Sequence, residues 1–298
     1  MPICRVAEAP PDEADLLALL EYLKTRKDQL SPEDLEQLRR LEAFFIEHAF
    51  EVLKKAADLE EARADAQAEA DVREAVREAV EEGDAEERRA LAMIAEGDLG
   101  GGLRLLSDLA SASVIENAAQ WRRIGRLAYA IDTAQALGAY EKVIALDRSD
   151  PWDAIYLGRL YRRVGALAEA QQTYRDALVR LPETEKRDLG VLLNDIGNVL
   201  VDQGDLSGGL ASYRASMAIA ERLAAADPDN AGWQRDLSVS HIKIGDLEEA
   251  RGDIGAAIAA YEKSLPIAQS LADRFPDYPQ FQIDIAITNR RLTNLRAK

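Results

Sequence analysis

Arg122 and Arg126 lie four residues apart, Arg159 and Arg162 three, and Asn194 and Asn198 four. On a helix each spacing stacks the two side chains on one face, about one turn apart. A guanidinium presents a planar fork of donors that matches a carboxylate, and a carboxamide can both donate to and accept from a peptide backbone. These six residues, with Tyr129 and Arg163 beside them, therefore suit the holding of an acidic or extended peptide. The same arginines could instead pair with acidic neighbours on adjacent helices, and spacing alone leaves both readings open.

Covalent and metal chemistry find less support. No Ser-His-Asp, Cys-His or carboxylate-dyad arrangement can be assembled from the sequence, so no catalytic residue is expected. Cys4 with two histidines, His48 and His241, cannot build a His/Cys zinc cage, and neither a metal nor a cofactor is expected. Gly97–Leu103, "GDLGGGL", lacks the Lys-Ser/Thr that a phosphate-cradling loop needs after its last glycine, and reads as a tight turn. A formal net charge of -17 over 298 residues disfavours nucleic acid or an anionic membrane as a partner for the surface as a whole. Residues 117–182 depart from that balance, with 10 basic and 7 acidic residues. The start lacks a basic segment followed by a long apolar one, and no run of 18 apolar residues occurs, so no membrane insertion is expected. One cysteine suits a reducing, cytoplasmic setting.

The elements that would position these side chains are legible in the small residues. In the stretch 151–182, Leu157-Gly158, Tyr161, Ala170, Tyr174, Ala177 and Pro182 follow the spacing L-G-x2-Y, A-x3-F, P. The preceding stretch carries Trp121-x2-Ile124-Gly125, with Ala136, Tyr140 and Val143 each 34 residues before Ala170, Tyr174 and Ala177. The pattern resembles the tetratricopeptide repeat, a helix-turn-helix unit of 34 residues. Further on the period lengthens to 48, pairing Asp188 with Asp236, Gly197 with Gly245, Gly204 with Gly252 and Tyr213 with Tyr261. The longer repeat looks like the long-helix variety of kinesin-light-chain-like arrays. Trp233 and Asp236 recur as Phe281 and Asp284, which begins a third copy and reads as a capping helix. Pro266 falls inside a predicted second helix and is expected to kink it or end it early.

What the resemblance implies is an all-α, right-handed solenoid of about five hairpins (85–116, 117–150, 151–184, 185–229, 230–277). A flexible tail over 1–10 and a helical segment over 11–84 precede it, and a capping helix over 278–298 follows. It also implies that the fifth, ninth and twelfth positions of each first helix face the concave channel. Those positions collect Arg122, Arg126, Tyr129, Arg159, Arg162, Asn194 and Asn198 into one stripe, with Arg163 alongside. The lysine/asparagine register of the chaperone-binding carboxylate clamp is absent.

The first 84 residues do not fit the repeat. Ser31 and Pro32 form a helix start, and no Gly or Pro follows until Gly83, which permits a helix of about 50 residues. Phe44, Phe45, Ile46, Phe50 and Leu53 crowd more faces than one neighbour covers. They predict burial against the first hairpins, or a coiled-coil or homodimer contact through residues 32–60. Residues 57–87 carry 13 acidic and 3 basic residues and are expected to be solvated. Two functions compete: an adaptor or scaffold whose channel binds a protein or peptide, and a structural or regulatory subunit that self-associates or docks through its N-terminal helices.

Overall fold

The computed structural model describes residues 13–56, 66–112, 117–182, 184, 186–276 and 278–297. The expected tail over 1–10, Cys4 included, lies outside them. The chain divides into two compact units, Met1–Arg148 and Ser149–Lys298.

In unit 1 the order is α1 (Glu13–Lys24), a 3-10 turn (Lys27–Gln29), α2 (Pro32–Ala56), α3 (Ala66–Glu81), α4 (Ala85–Ala95), α5 (Leu99–Ala112), α6 (Ala118–Ala128) and α7 (Thr133–Leu146). Unit 2 contains α8 (Pro151–Arg163), α9 (Leu167–Arg180), α10 (Lys186–Asp202), α11 (Leu206–Ala226), α12 (Ala231–Ala250), α13 (Ile254–Arg274) and α14 (Pro279–Arg296). No strand occurs among the described residues. Sequential pairs from α4/α5 to α12/α13 pack as hairpins, and α14 packs on α13.

Short polar side chains start these helices. Asp84, Asn117, Asp132, Asp150, Asp205, Asn230 and Asp253 each accept a hydrogen bond from a backbone N–H in the first turn, satisfying a donor that has no partner within the helix. The turns of four hairpins place a glycine at positive φ, for example Gly165 at 79° and Gly204 at 84°, where a side chain would be strained.

The repeated glycine of the first helix has a different task. A Cβ added at Gly158 would lie 2.2 Å from Cε1 of Tyr174, and one at Gly197 would lie 2.4 Å from Cε1 of Tyr213. Gly125 with Tyr140 and Gly245 with Tyr261 repeat the arrangement. Each first helix thus leaves a slot for the tyrosine ring of its partner, and Tyr140, Tyr174 and Tyr261 are fully buried. Recurrence of this Gly/Tyr interlock over four hairpins makes the chain an all-α array of tetratricopeptide-type repeats.

Three expectations are corrected. The run from Pro32 to Gly83 is not one helix, because α2 and α3 pack against each other. Nor is the acidic half simply solvated: Ala68, Val72, Ala75, Val76, Ala79 and Val80 bury one face of α3. An alanine-valine stripe at helical spacing is a packing face even among many carboxylates. Finally, α13 continues through Pro266 to Arg274. Pro266 is exposed, so the Glu262 carbonyl that its ring deprives of a donor lies on the solvent side, and packing of α13 against α12 and α14 holds the helix together.

Candidate functional site

The first helices carry the predicted site residues, and the two units treat them differently. In unit 1, Arg122 Nη2 donates to Asp147 Oδ2 at 2.9 Å, tying α6 to the residue that caps the end of α7. Arg126 Nη1 lies 3.8 Å from Glu78 Oε1 of α3. Arg123, three positions earlier, reaches Glu78 at 3.5 Å and Glu87 of α4 at 2.9 Å. Tyr129 is buried.

In unit 2 the partners are carboxylates on the next first helix. Arg159 Nε of α8 donates to Asp195 Oδ2 of α10 at 2.8 Å, and Arg162 pairs with Asp202 at the end of α10. Asp195 is buried and also accepts from Asn198 Nδ2 at 3.1 Å. Asn198 in turn accepts from the Tyr213 hydroxyl of α11 at 2.8 Å and from Lys243 Nζ of α12 at 3.1 Å, both at Oδ1. Arg159, Asp195, Asn198, Tyr213 and Lys243 therefore form one connected network drawn from four helices. Burial, with Asp202 and Asp195 nearby and despite Arg162, pushes the Tyr213 hydroxyl up to about 12, so it stays a hydrogen-bond donor at physiological pH. Arg163 is exposed and Asn194 half-buried on the same two helices, α8 and α10.

The open alternative of the sequence is thus visible in the side chains: Arg122, Arg126, Arg159 and Arg162 each face a carboxylate of this chain. Spacing could not assign those carboxylates. A signal was present only for two other arginines, in the dipeptide Arg-Asp at 187–188 and again at 235–236. Arg187 of α10 bonds Asp236 of α12 at 3.0 Å, and Arg235 of α12 bonds Asp284 of α14 at 3.0 Å. Each dipeptide sends its arginine forward by 49 residues, so a 48-residue period with Arg-Asp in it encodes a ladder between successive first helices. Glu78 had no such signal, because it lies outside the repeats.

His241 is buried on α12, and burial, with Lys263 adding repulsion, holds its imidazole below the ordinary range. His48 stacks on Phe44 with centroids 5.7 Å apart. Among the described residues no group of His, Cys, Asp and Glu is arranged to hold a metal ion, and no helix is long and apolar enough to cross a membrane.

No protein-family model matches the chain, and no curated protein matches it in sequence. Among solved structures, MamA is similar over 62% of this chain and 96% of its own, with 17% identity and a TM-score of 0.47. BtubC from P. vanneervenii gives 17% identity, 72% and 92% coverage and a TM-score of 0.45. PilF of Pseudomonas aeruginosa gives 14%, 76%, 91% and 0.42. Likenesses this distant carry no function across, and the repeat type rests on the hairpins themselves: first helix, glycine slot, buried tyrosine and second helix, four times over.

Proposed function

We propose that the chain is a protein-interaction scaffold, and that the first-helix face of unit 2 binds a peptide or protein partner with acidic or carboxylate groups. The observation that carries this reading is the network around Asp195 and Asn198. A buried carboxylate and carboxamide cost desolvation that apolar residues would avoid, yet three successive first helices converge on them with Arg159 and Lys243. The network holds its cations in fixed positions, with Arg163 and Asn194 beside them, and a fixed donor set loses little entropy on binding a carboxylate. A single cysteine fits a scaffold working in a reducing compartment such as the cytoplasm.

Affinity purification of wild type beside an Arg163→Glu/Asn194→Asp double variant tests this, since those changes spare the Arg159–Asp195 and Arg162–Asp202 pairs. The variant should stay folded, losing no more than the about 1 kcal/mol that an exposed pair is worth, and lose partners, and the partners retained by wild type should fall away as salt rises. A folded double variant that keeps the full set overturns the reading. A second reading, self-association or docking through residues 32–60, is favoured by Phe44, which stays 43% exposed while Phe45, Phe50 and Leu53 are buried. Light scattering on wild type and Phe44→Asp decides it.

A further inference from the structure

Unit 1 shows what its own first-helix face accepts. Helix α3, paired with α2, is not part of any repeat hairpin, yet it also packs against α4 and α6, the first helices of two of them. Its contact side is a stripe of small apolar residues, Ala68, Val72, Ala75, Val76, Ala79 and Val80, all buried. Glu78 leaves the edge of that stripe and meets Arg123 and Arg126 of α6 at 3.5 and 3.8 Å. These separations are too long for hydrogen bonds, so the attraction is Coulombic and tolerant of small shifts.

The helix also holds itself together. Arg77 bridges Glu74 and Glu81, and Gln67 bonds Asp71 at 2.8 Å, all at the three- and four-residue spacings that support an isolated helix. Its links to α2, Arg73–Glu47 at 2.7 Å and Lys54–Glu69 at 2.9 Å, are exposed pairs of the kind worth about 1 kcal/mol or less. Alanine and valine remove less apolar surface than the leucines and phenylalanines with which α2 is anchored, Leu38, Leu41, Phe45, Phe50 and Leu53. Helix α3 is therefore held on this face by small side chains, without the large apolar anchors of α2.

We propose that the α4/α6 face of unit 1 is a binding surface for acidic amphipathic helices with a small-residue stripe, and that α3 is its resident occupant, competing with an external helix of that chemistry. The proposal rests on the scaffold reading but names a face of the other unit and a helical ligand with a small-residue stripe, so the two can fail separately. As a tethered competitor α3 acts at high effective concentration, which makes the free chain a weak binder until α3 opens.

The experiment uses the full-length protein and a fluorescein-labelled synthetic peptide of residues 66–81. Hydrogen exchange on wild type should show the amides of α3 exchanging at least about tenfold faster than those of α6, the mark of an opening smaller than global unfolding. In anisotropy titrations the Val76→Asp variant, with a charge placed in the buried stripe, should bind the peptide at least about tenfold more tightly than wild type. Adding Arg123→Glu and Arg126→Glu should remove that binding, as should a peptide carrying Glu74→Lys and Glu78→Lys. Equal protection of α3 and α6 overturns the proposal, as does a Val76→Asp chain that loses protection in α4–α7 or gains no affinity. Peptide binding that survives the arginine reversals places it elsewhere and also overturns it, as does a Val76→Asp dimer that the peptide cannot dissociate. If the peptide behaves as expected while Arg163→Glu/Asn194→Asp keeps every partner, only the reading of unit 2 falls.

Discussion

Arg126 of α6 and Arg159 of α8 occupy equivalent repeat positions, each just after the slot glycine, yet their charge is met by helices of different origin. Arg126 faces Glu78 of α3, a helix outside the repeat, across 3.8 Å. Arg159 faces Asp195 of the next repeat's first helix at hydrogen-bond distance, and Asp195 is buried and shared with Asn198. A short, buried, doubly bonded aspartate fixes its cation, whereas a longer glutamate beyond hydrogen-bond reach only attracts it. The same repeat code thus yields a rigid lattice where repeats succeed one another and a softer contact where an outside helix takes the partner's place.

Substitution can sharpen or break that contrast. The largest effect is expected at the interlock common to both units. Gly158→Leu drives a side chain into the Tyr174 ring and should cost about 3 kcal/mol or more, read as a fall in melting temperature. Wild-type stability there would mean that the interlock does not set the spacing of the hairpin helices. Next comes the lattice: Asp195→Ala removes the buried carboxylate that accepts from Arg159 and Asn198, at a cost of about 2 kcal/mol by denaturant melts. Glu78→Gln in unit 1, removing a contact longer than a hydrogen bond, should cost less than ~1 kcal/mol. Equal losses for the two changes would erase the distinction between rigid and soft pairs.

Acid supplies a further test confined to unit 2. The imidazole of His241 is held below its ordinary 6.5 by burial and then by Lys263, so the unfolded chain takes up the proton first as pH falls. Stability should be unaffected well above 6.5. It should drop as pH passes below 6.5 toward the folded value, by at most about 1.4 kcal/mol per pH unit for one proton. Urea melts at pH 7.5 and 6.0 on wild type and His241→Leu, the residue found at 193 in the previous repeat, should show the slope in wild type alone. The smallest effect is a gain. Gly138 in α7 has open space around its would-be Cβ, so Gly138→Ala should stabilise by up to about 1 kcal/mol, where the same change at Gly158 should not.

Much of the fold could be read before any coordinates. Small residues at fixed spacing mark where two helices must approach within a ring's thickness, and no other residue type satisfies that contact, so Gly125, Gly158, Gly197 and Gly245 announced the hairpins. Charge pairing was less legible. The arginines were visible as a stripe, but a guanidinium reaches far enough to choose among several helices, and the 48-residue recurrence of Arg-Asp contained the partners of Arg187 and Arg235 alone, not those of the stripe. The N-terminal segment was least legible, because an uninterrupted run without Gly or Pro allows a long helix without requiring one.

By itself, then, the sequence determined what depends on local geometry: helix starts at Asp and Asn caps, turns at Gly97, Gly165, Gly204 and Gly252, and ring slots opposite Tyr140, Tyr174, Tyr213 and Tyr261. Tertiary structure decided what depends on which surfaces meet. It folded α3 back against α2 and onto α4 and α6, because its alanine-valine stripe has apolar area to bury and no repeat partner of its own. It also carried α13 through Pro266, because packing against α12 and α14 supports the helix and the freed carbonyl lies on the side open to water. Local rules act through neighbours in the chain, whereas burial and Coulombic pairing act between surfaces whose meeting no short stretch of sequence specifies.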